Sequence, residues 1–333
     1  MTKIAVFGKG RIGSAAINML STSGHDVRGF DIEDYTSSTF DEYDVYLAAV
    51  PFDVCLDIAY EASVRPGKLY FDLTEDVQAG KDIRALTQNG SIYVPHCGVA
   101  PGAVSIIANA LVPAATVRMR VGALPLHPEG RLKYALNWST EGLVNEYIQS
   151  PIGIRGGRVV ALEPMGDLVL LGAGYEAFNT AGGIGTFAET RAGTVTNASY
   201  QTIRYAGHCD YMRFLLDDLE FWSRPAKLVQ LLDDYLPHNT TDLVEVQVYA
   251  DGKGYKRTIH ANAEYTAIQR ATAGGVVAVV QWVLDNRDTA EGLVRDGNWI
   301  ANEDIPLQGV ERYESWRMNY GVFLKGVYNE LGR

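Results

Sequence analysis

The sequence predicts an α/β fold: a doubly wound parallel sheet, followed by an α+β domain built on an open mixed sheet. Three observations carry this. Short apolar runs (KIAVFG, DVRGFD, DVYLAAV, KLYFDL and SIYVP) recur through the first 115 residues. They are continuous, β-branched or aromatic, and bounded by Gly, Asp or Pro, as strands covered on both faces are. Between them RIGSAAINMLSTS, FDVCLDIAYEAS and EDVQAGKDIRALTQNG place apolar residues at helical spacing. Strand-helix alternation of this kind implies parallel strands with helices on both faces. After Ala115 the texture changes to strands of a more open sheet: TVRMRVGAL, LKYALNWS, RVVALEP and LVEVQVYADGKGYKRTIHA. The last of these turns at Asp251-Gly252, a hairpin signal. TNASYQTIRYAGHCDYMRFLLDDL reads as strand, turn and helix, and RPAKLVQLLDDYL as a helix. AGGVVAVVQWVLDNR and ERYESWRMNYGVFLKGVYNEL read as closing helices that return to the first domain. The expected division is residues 1–115 with 272–333, and 116–271.

Composition narrows the function classes. With 333 residues and 47% hydrophobic content, core material for two domains is available. A formal charge of -11, from 29 basic and 40 acidic residues, argues against a nucleic-acid surface, which needs clustered cations. Cys55, Cys97 and Cys209 lack C-x-x-C spacing, so neither a disulfide framework nor a metal site is indicated. Without a secretory pattern or a long uninterrupted apolar run, a soluble protein of the reducing cytosol with no membrane partner is expected.

Gly8-Lys9-Gly10-Arg11-Ile12-Gly13 is a G-x-G-x-x-G run between a strand and a helix, and the next strand ends in an acid, Asp31. This is the Rossmann dinucleotide pattern. Gly8 permits the turn, Gly10 lets backbone approach a pyrophosphate, and Gly13 lets helix and strand pack closely. The helix N-terminus, opened by Arg11 and Ile12, offers N–H groups to the anion. Asp31 is suited to ribose hydroxyls and repels a 2′-phosphate, so NAD is expected, with NADP as the alternative. Ala49, Val50 and Pro51 fall at a carboxyl edge of the sheet, on the cofactor side.

Three further motifs follow in order. His96-Cys97-Gly98-Val99-Ala100-Pro101-Gly102 opens an apolar helix; Gly122-Ala123-Leu124-Pro125 precedes Trp138-Ser139 and Gly142-Leu143; and Thr202 to His208 read TIRYAGH. Together these resemble the saccharopine dehydrogenase-like family of amine-oxidising enzymes, nearest its L-lysine 6-dehydrogenase branch. The likeness runs from residue 1 to about 285. It implies a second domain for substrate binding and dimerisation, and a hydride removed from a carbon bearing nitrogen. An imine would then hydrolyse or cyclise. For L-lysine this is oxidative deamination at the ε-carbon.

Against that chemistry, Arg204 is a candidate for the substrate carboxylate, with Tyr205 beside it; the alternative is a structural ion pair. His208 is a candidate general base because its ordinary pKa lies near neutrality, or else a structural histidine. Asp72 ends a strand where the family's acid contacts substrate, or else it orders the turn before TEDVQAG, a role open to Thr74 as well. Cys97 is read as close-fitting backbone beside the reacting end of the cofactor, since hydride transfer needs no thiol nucleophile, and Pro101 as part of the first helical turn. Trp138 and Ser139 are pocket candidates, with Glu141 and Asn145 behind them. The resemblance also places substrate contacts at Gly183 and Thr272. QRATAGG departs from the family's run, and LPLHPEGRLKYALNW differs from it in polar residues. The expectation is thus an NAD-dependent oxidoreductase acting on a small amino-acid substrate, as a homo-oligomer. A saccharopine- or carboxynorspermidine-type reductase and a non-catalytic dinucleotide sensor stay open.

Overall fold

A computed structural model of the chain describes residues 2–87, 91–238 and 241–322. It forms two compact units. The first comprises the chain up to Ala110, Gly185–Thr190 and the chain from Gln269; the second comprises Leu111–Ile184 and Arg191–Ile268. The boundaries differ from the expected 115 and 272, and the short Gly185–Thr190 excursion has no counterpart in the sequence reading.

In the first unit β1 (Lys3–Phe7), β2 (Asp26–Phe30), β3 (Val45–Ala48), β4 (Leu69–Asp72) and β5 (Ile92–Val94) pair in the order β2-β1-β3-β4-β5, all parallel. Helices α1 (Arg11–Thr22), α2 (Phe52–Ser63), α3 (Val77–Thr87) and α4 (Ala103–Ala110) alternate with them. Every residue of β3 and β4 is buried, which explains why those runs carry no polar alternation. Phe7 stacks on Phe40 at 4.8 Å, and Tyr46, Tyr70 and Tyr93 fill the same core. Each such ring contributes roughly 1.5–3 kcal/mol by leaving water. Chain from far downstream completes the sheet edge: Tyr93 N–H donates to Asn298 and its carbonyl accepts from Ile300 N–H, both at 2.9 Å.

The second unit holds β6 (Thr116–Pro125), α5 (Thr140–Ile148), β7 (Ile152–Arg155), β8 (Arg158–Ala161), β9 (Val169–Leu171) and β10 (Tyr175–Asn179). After α6 (Phe187–Arg191) come β11 (Asn197–Tyr205), α7 (His208–Arg213), α8 (Pro225–Tyr235), β12 (Asp242–Ala250) and β13 (Lys253–His260); α9 (Ala267–Asp285) leads back into the first unit. The sheet order is β13-β12-β6-β11-β10-β9, with β7 on β11 and β8 on β7. Only β6–β11 is parallel, so the sheet is mixed, as expected. Leu143 and Tyr147 of α5, Met212 of α7 and Leu228 and Leu232 of α8 pack into one cluster with Phe178 of β10. Asp251 and Gly252 both take positive φ, the geometry of a two-residue hairpin turn that follows strand twist.

Two expected elements differ. LKYALNWS is irregular: Lys133 has φ +50°, and the segment makes a single bridge, Leu136 to His238. Its Tyr134 and Leu136 are apolar because they enter the helix cluster, not because they alternate in a ladder. The last expected helix, 311–331, is seen only as Glu314–Tyr320: residues 311–313 form a turn, Gly321 with φ +79° ends the helix, and residues from 323 on lie outside the described residues.

Candidate functional site

The glycine turn of the first unit is built from three distinct constraints. Gly8 has φ +96°, and a Cβ there would lie 2.3 Å from the Ala49 carbonyl oxygen and 2.9 Å from Val50 Cγ1. A Cβ on Gly13 would lie 1.8 Å from the Gly8 carbonyl oxygen. At Gly10 a Cβ would meet nothing within 4 Å. Two glycines are therefore demanded by packing, while the third faces open space, as a backbone cradle for a ligand requires. Arg11 opens α1, Ile12 follows half-buried, and Gly10 caps the helix without a side-chain bond or an acid in the first turn. The exposed α1 N-terminus thus keeps its partial positive charge for an anion. Ala49 and Val50 are half-buried and Pro51 is exposed at the end of β3, beside the turn. The two carboxyl ends, β1 and β3, are neighbours whose connections leave in opposite directions, the crevice where open α/β sheets take ligands.

Asp31 stands at the carboxyl end of β2, where its Oδ1 accepts from Lys9 N–H at 2.7 Å. Lys9 Nζ lies 2.5 Å from Asp34 and 3.5 Å from Asp31. Its bond to Asp34 raises the lysine pKa and lowers that of the aspartate. Asp31 is thus ordered against the turn and stays largely exposed, with its second oxygen only loosely paired.

Asp72, at the end of β4, is fully buried. It accepts from Tyr93 Oη, from His96 N–H at 3.0 Å and from Thr74 N–H at 3.3 Å, while its own carbonyl accepts from Cys97 N–H at 2.9 Å. Burial raises its pKa against these bonds. The turn-ordering alternative describes this carboxylate, and Asp76, not Thr74, caps the first turn of α3 by accepting from Ala79 N–H at 2.7 Å. The Cys97 corner is likewise filled by protein. Cys97 Sγ donates to the Val94 carbonyl at 3.2 Å, and burial pushes the thiol well up, which keeps it protonated. A Cβ on Gly98 would lie 3.2 Å from the Pro101 carbonyl oxygen and 3.6 Å from Thr272 Cγ2; one on Gly275 would lie 2.8 Å from the Gly98 carbonyl oxygen. The small residues of the corner therefore admit the close approach of α9. Pro101 precedes α4, which begins at Ala103, so it is not in the first helical turn.

The second unit joins Arg204 and His208 through a residue the sequence reading missed, Tyr147. Arg204 Nε donates to Tyr147 Oη at 2.8 Å, and Tyr147 Oη lies 3.0 Å from His208 Nε2. His208 Nδ1 lies 2.8 Å from the Leu132 carbonyl, which can only accept, so Nδ1 carries the proton and Nε2 accepts from Tyr147. Burial, aided by the Arg204 charge, pushes His208 down to about 3. This corrects its reading as a base titrating near neutrality: the imidazole is neutral and both nitrogens are engaged. Arg204 is also committed. Nη1 donates to Thr202 Oγ1 at 2.9 Å and the Ile203 carbonyl at 3.0 Å, Nη2 pairs with Glu146 at 3.4 Å, and its guanidinium carbon lies 4.9 Å from the Tyr134 ring centre. The structural ion pair, not an open carboxylate fork, is what the buried side chain forms. Glu176, also missed, holds the start of α7 by accepting from Gly207 N–H at 2.8 Å and Cys209 N–H at 2.6 Å.

The remaining candidates scatter. Tyr205 Oη donates to the Pro125 carbonyl at 2.8 Å. Gly183 leaves space for the Tyr200 ring, 2.2 Å from where a Cβ would stand, so nothing else fits there. Trp138 Nε1 donates to Tyr134 Oη at 2.8 Å, and Ser139 is the N-cap of α5. Nothing in the spacing of LVNEYIQ marks Glu146 and Tyr147 apart from ordinary helix residues; their partners, Arg204 and His208, come from β11 and the start of α7.

Residues 98–312 match the saccharopine dehydrogenase C-terminal domain family. Among solved structures, the chain is similar to a saccharopine dehydrogenase (L-Glu forming) from Saccharomyces cerevisiae, at TM-score 0.69 and 11% identity, covering 98% of this chain and 99% of that one. It is also similar to a homospermidine synthase from Legionella pneumophila in complex with NAD, at TM-score 0.61 and 10% identity, covering 96% and 90%. At such identities the likeness is one of fold.

Proposed function

The chain belongs to the saccharopine dehydrogenase C-terminal domain family, and from that premise we propose that it is a nicotinamide-dinucleotide oxidoreductase acting on a C–N bond of an amino acid. The observation that carries the proposal is the glycine turn: a Cβ on Gly8 or Gly13 would come within 2.5 Å of a backbone oxygen, while one on Gly10 would face open space. Gly8, Gly10, Arg11, Ile12 and Gly13 would hold the pyrophosphate, and Ala49, Val50 and Pro51 the next part of the dinucleotide. Asp31 would take a ribose hydroxyl, and its carboxylate repels a 2′-phosphate, which favours NAD over NADP. When bound, the dinucleotide supplies hydride acceptance from a carbon bearing nitrogen. L-lysine, oxidised at the ε-carbon, is the substrate we put first, on the resemblance of the HCGVAPG, GALP and TIRYAGH motifs. With His208 neutral and hydrogen-bonded through both nitrogens, its part is to hold Tyr147 and Arg204, not to carry the amine proton.

The test is a spectrophotometric screen at alkaline pH with NAD and then NADP, offering L-lysine, saccharopine, ornithine and diamines one at a time. Formation of reduced cofactor with lysine alone is the expected outcome. Turnover of saccharopine instead would replace lysine by that substrate within the same reaction class. Tight NADH binding with no turnover of any amine would remove the catalytic proposal.

A further inference from the structure

We infer that the second unit carries a binding site for a small oxyanion, a phosphate or carboxylate group, where β6, β7 and β11 meet. A cavity of about 250 Å³ lies there, lined by Thr116, Arg118, Arg155, Asn197 and Ser199. Strand register explains the grouping. Thr116 pairs with Asn197 and Arg118 with Ser199 in the parallel β6–β11 ladder, so all four side chains share one face. Ile154 of β7 pairs with Ala198 on the other side of β11, which brings Arg155 to the same place.

The groups that reach the cavity are donors. Arg155 is anchored by the Ile154 carbonyl at 3.1 Å and the Ala198 carbonyl at 3.3 Å, with Asp167 at 3.2 Å on its other nitrogen. Its guanidinium is therefore pre-positioned instead of being free to fold back. The Arg118 side chain makes no hydrogen bond or ion pair with any described residue. Asn197 accepts from Gly156 N–H through its oxygen at 3.4 Å, which leaves its NH2 as a donor. Ser199 is only 7% exposed, yet its hydroxyl has no hydrogen-bond partner among the described residues. The oxygen is not itself sealed from solvent: it opens on the cavity, where it can meet an oxygen of a bound ligand. Asp251, the other acid in this region, is engaged by the backbone N–H groups of Ala115 and Thr116.

Two guanidinium groups, a hydroxyl and an amide NH2 around one small cavity suit an anion with several acceptor oxygens. They suit neither a cation nor an apolar ligand. That they converge in a chain of net charge -11 makes the local sign more distinctive. The site is separate from Arg204. Ser199 and Arg204 lie on the same strand at positions of opposite parity, so their side chains leave opposite faces of the sheet.

The experiment is isothermal titration of the full chain in chloride buffer, with inorganic phosphate and, separately, succinate. At least one should give saturable binding, and the stronger of the two identifies the source as phosphate or carboxylate. Arg118→Ala should weaken that binding by about tenfold or more, and Ser199→Ala by several-fold. Arg118→Lys keeps the charge and should lose less, which preserves the test if the alanine variant folds poorly. No binding of either ion, or equal affinity in wild type and the Arg118 variants, overturns the inference. Equal affinity would place the anion elsewhere, for instance at the glycine turn, without touching the nucleotide proposal. That proposal is tested by NADH binding and not by these ions.

Discussion

A single hydroxyl organises the buried polar chain of the second unit. Tyr147 Oη is the acceptor for Arg204 Nε and the donor to His208 Nε2. Tyr147→Phe leaves both of those groups buried without partners, and we expect a loss of about 1–3 kcal/mol in urea unfolding. His208 adds a pH dependence. Its ordinary value is 6.5 and burial lowers it to about 3 in the folded chain. Between these values the unfolded chain binds the additional proton, so the contribution is complete above about 6.5 and is lost as pH falls toward 3. Wild type should therefore lose about 2 kcal/mol from this residue between about pH 7 and pH 5, a slope absent in His208→Gln. Equal slopes in urea titrations of the two proteins would remove the buried neutral imidazole. Arg204 and His208 could be picked out from TIRYAGH, but their roles could not. The environment that decides them, Tyr147 and Glu146 from α5, is remote in sequence.

At the scale of elements, the G-x-G-x-x-G turn separates two kinds of glycine. Gly13→Ala places a methyl 1.8 Å from the Gly8 carbonyl oxygen, with backbone on both sides of the clash. It should destabilise the first unit by about 3 kcal/mol or more, read as a lowered thermal midpoint. Gly10→Ala meets nothing within 4 Å, so its midpoint should stay within roughly 2 °C of wild type. Its NADH affinity should nevertheless fall at least about tenfold, because the methyl occupies the space kept for the pyrophosphate. A Gly10→Ala protein that binds NADH normally would remove the cradle assignment. This turn was legible because its requirements are local: strand, glycines and helix lie within one short segment. The HCGVAPG corner was legible only as a tight place. What fills it is Gly275 and Thr272 of α9 and the Asn302 side chain, all far along the chain. No local pattern distinguishes a corner shaped for a helix from one shaped for a ligand.

For the whole molecule, the first unit is discontinuous, and its final segment supplies what its last strand lacks. Asn298 and Ile300 satisfy both backbone groups of Tyr93, and Asn302 Nδ2 reaches the Pro95 carbonyl and Cys97 Sγ. Trp299 receives the Arg84 guanidinium at 4.7 Å, and Trp316 is fully buried against Tyr320 with ring centres 4.5 Å apart. The return of these closing segments was expected from their apolar composition, but their contacts were not, since Trp299 sits in no regular strand and pairs with Tyr93 by a lone parallel bridge. A chain ending at Asp285 keeps all five parallel strands and the glycine turn, yet exposes Tyr93 and removes the buried Trp316 and the half-buried Trp299. Losing a buried aromatic costs about 3–5 kcal/mol, and a domain has only about 5–15 kcal/mol in total. The truncated chain should therefore lose near-ultraviolet circular dichroism from its tyrosine core and fail to bind NADH, even though every residue of the nucleotide turn is present. Retained NADH affinity in that chain would show that the sheet closes without its distal segment, and would reduce Tyr93–Trp299 pairing to an accessory contact.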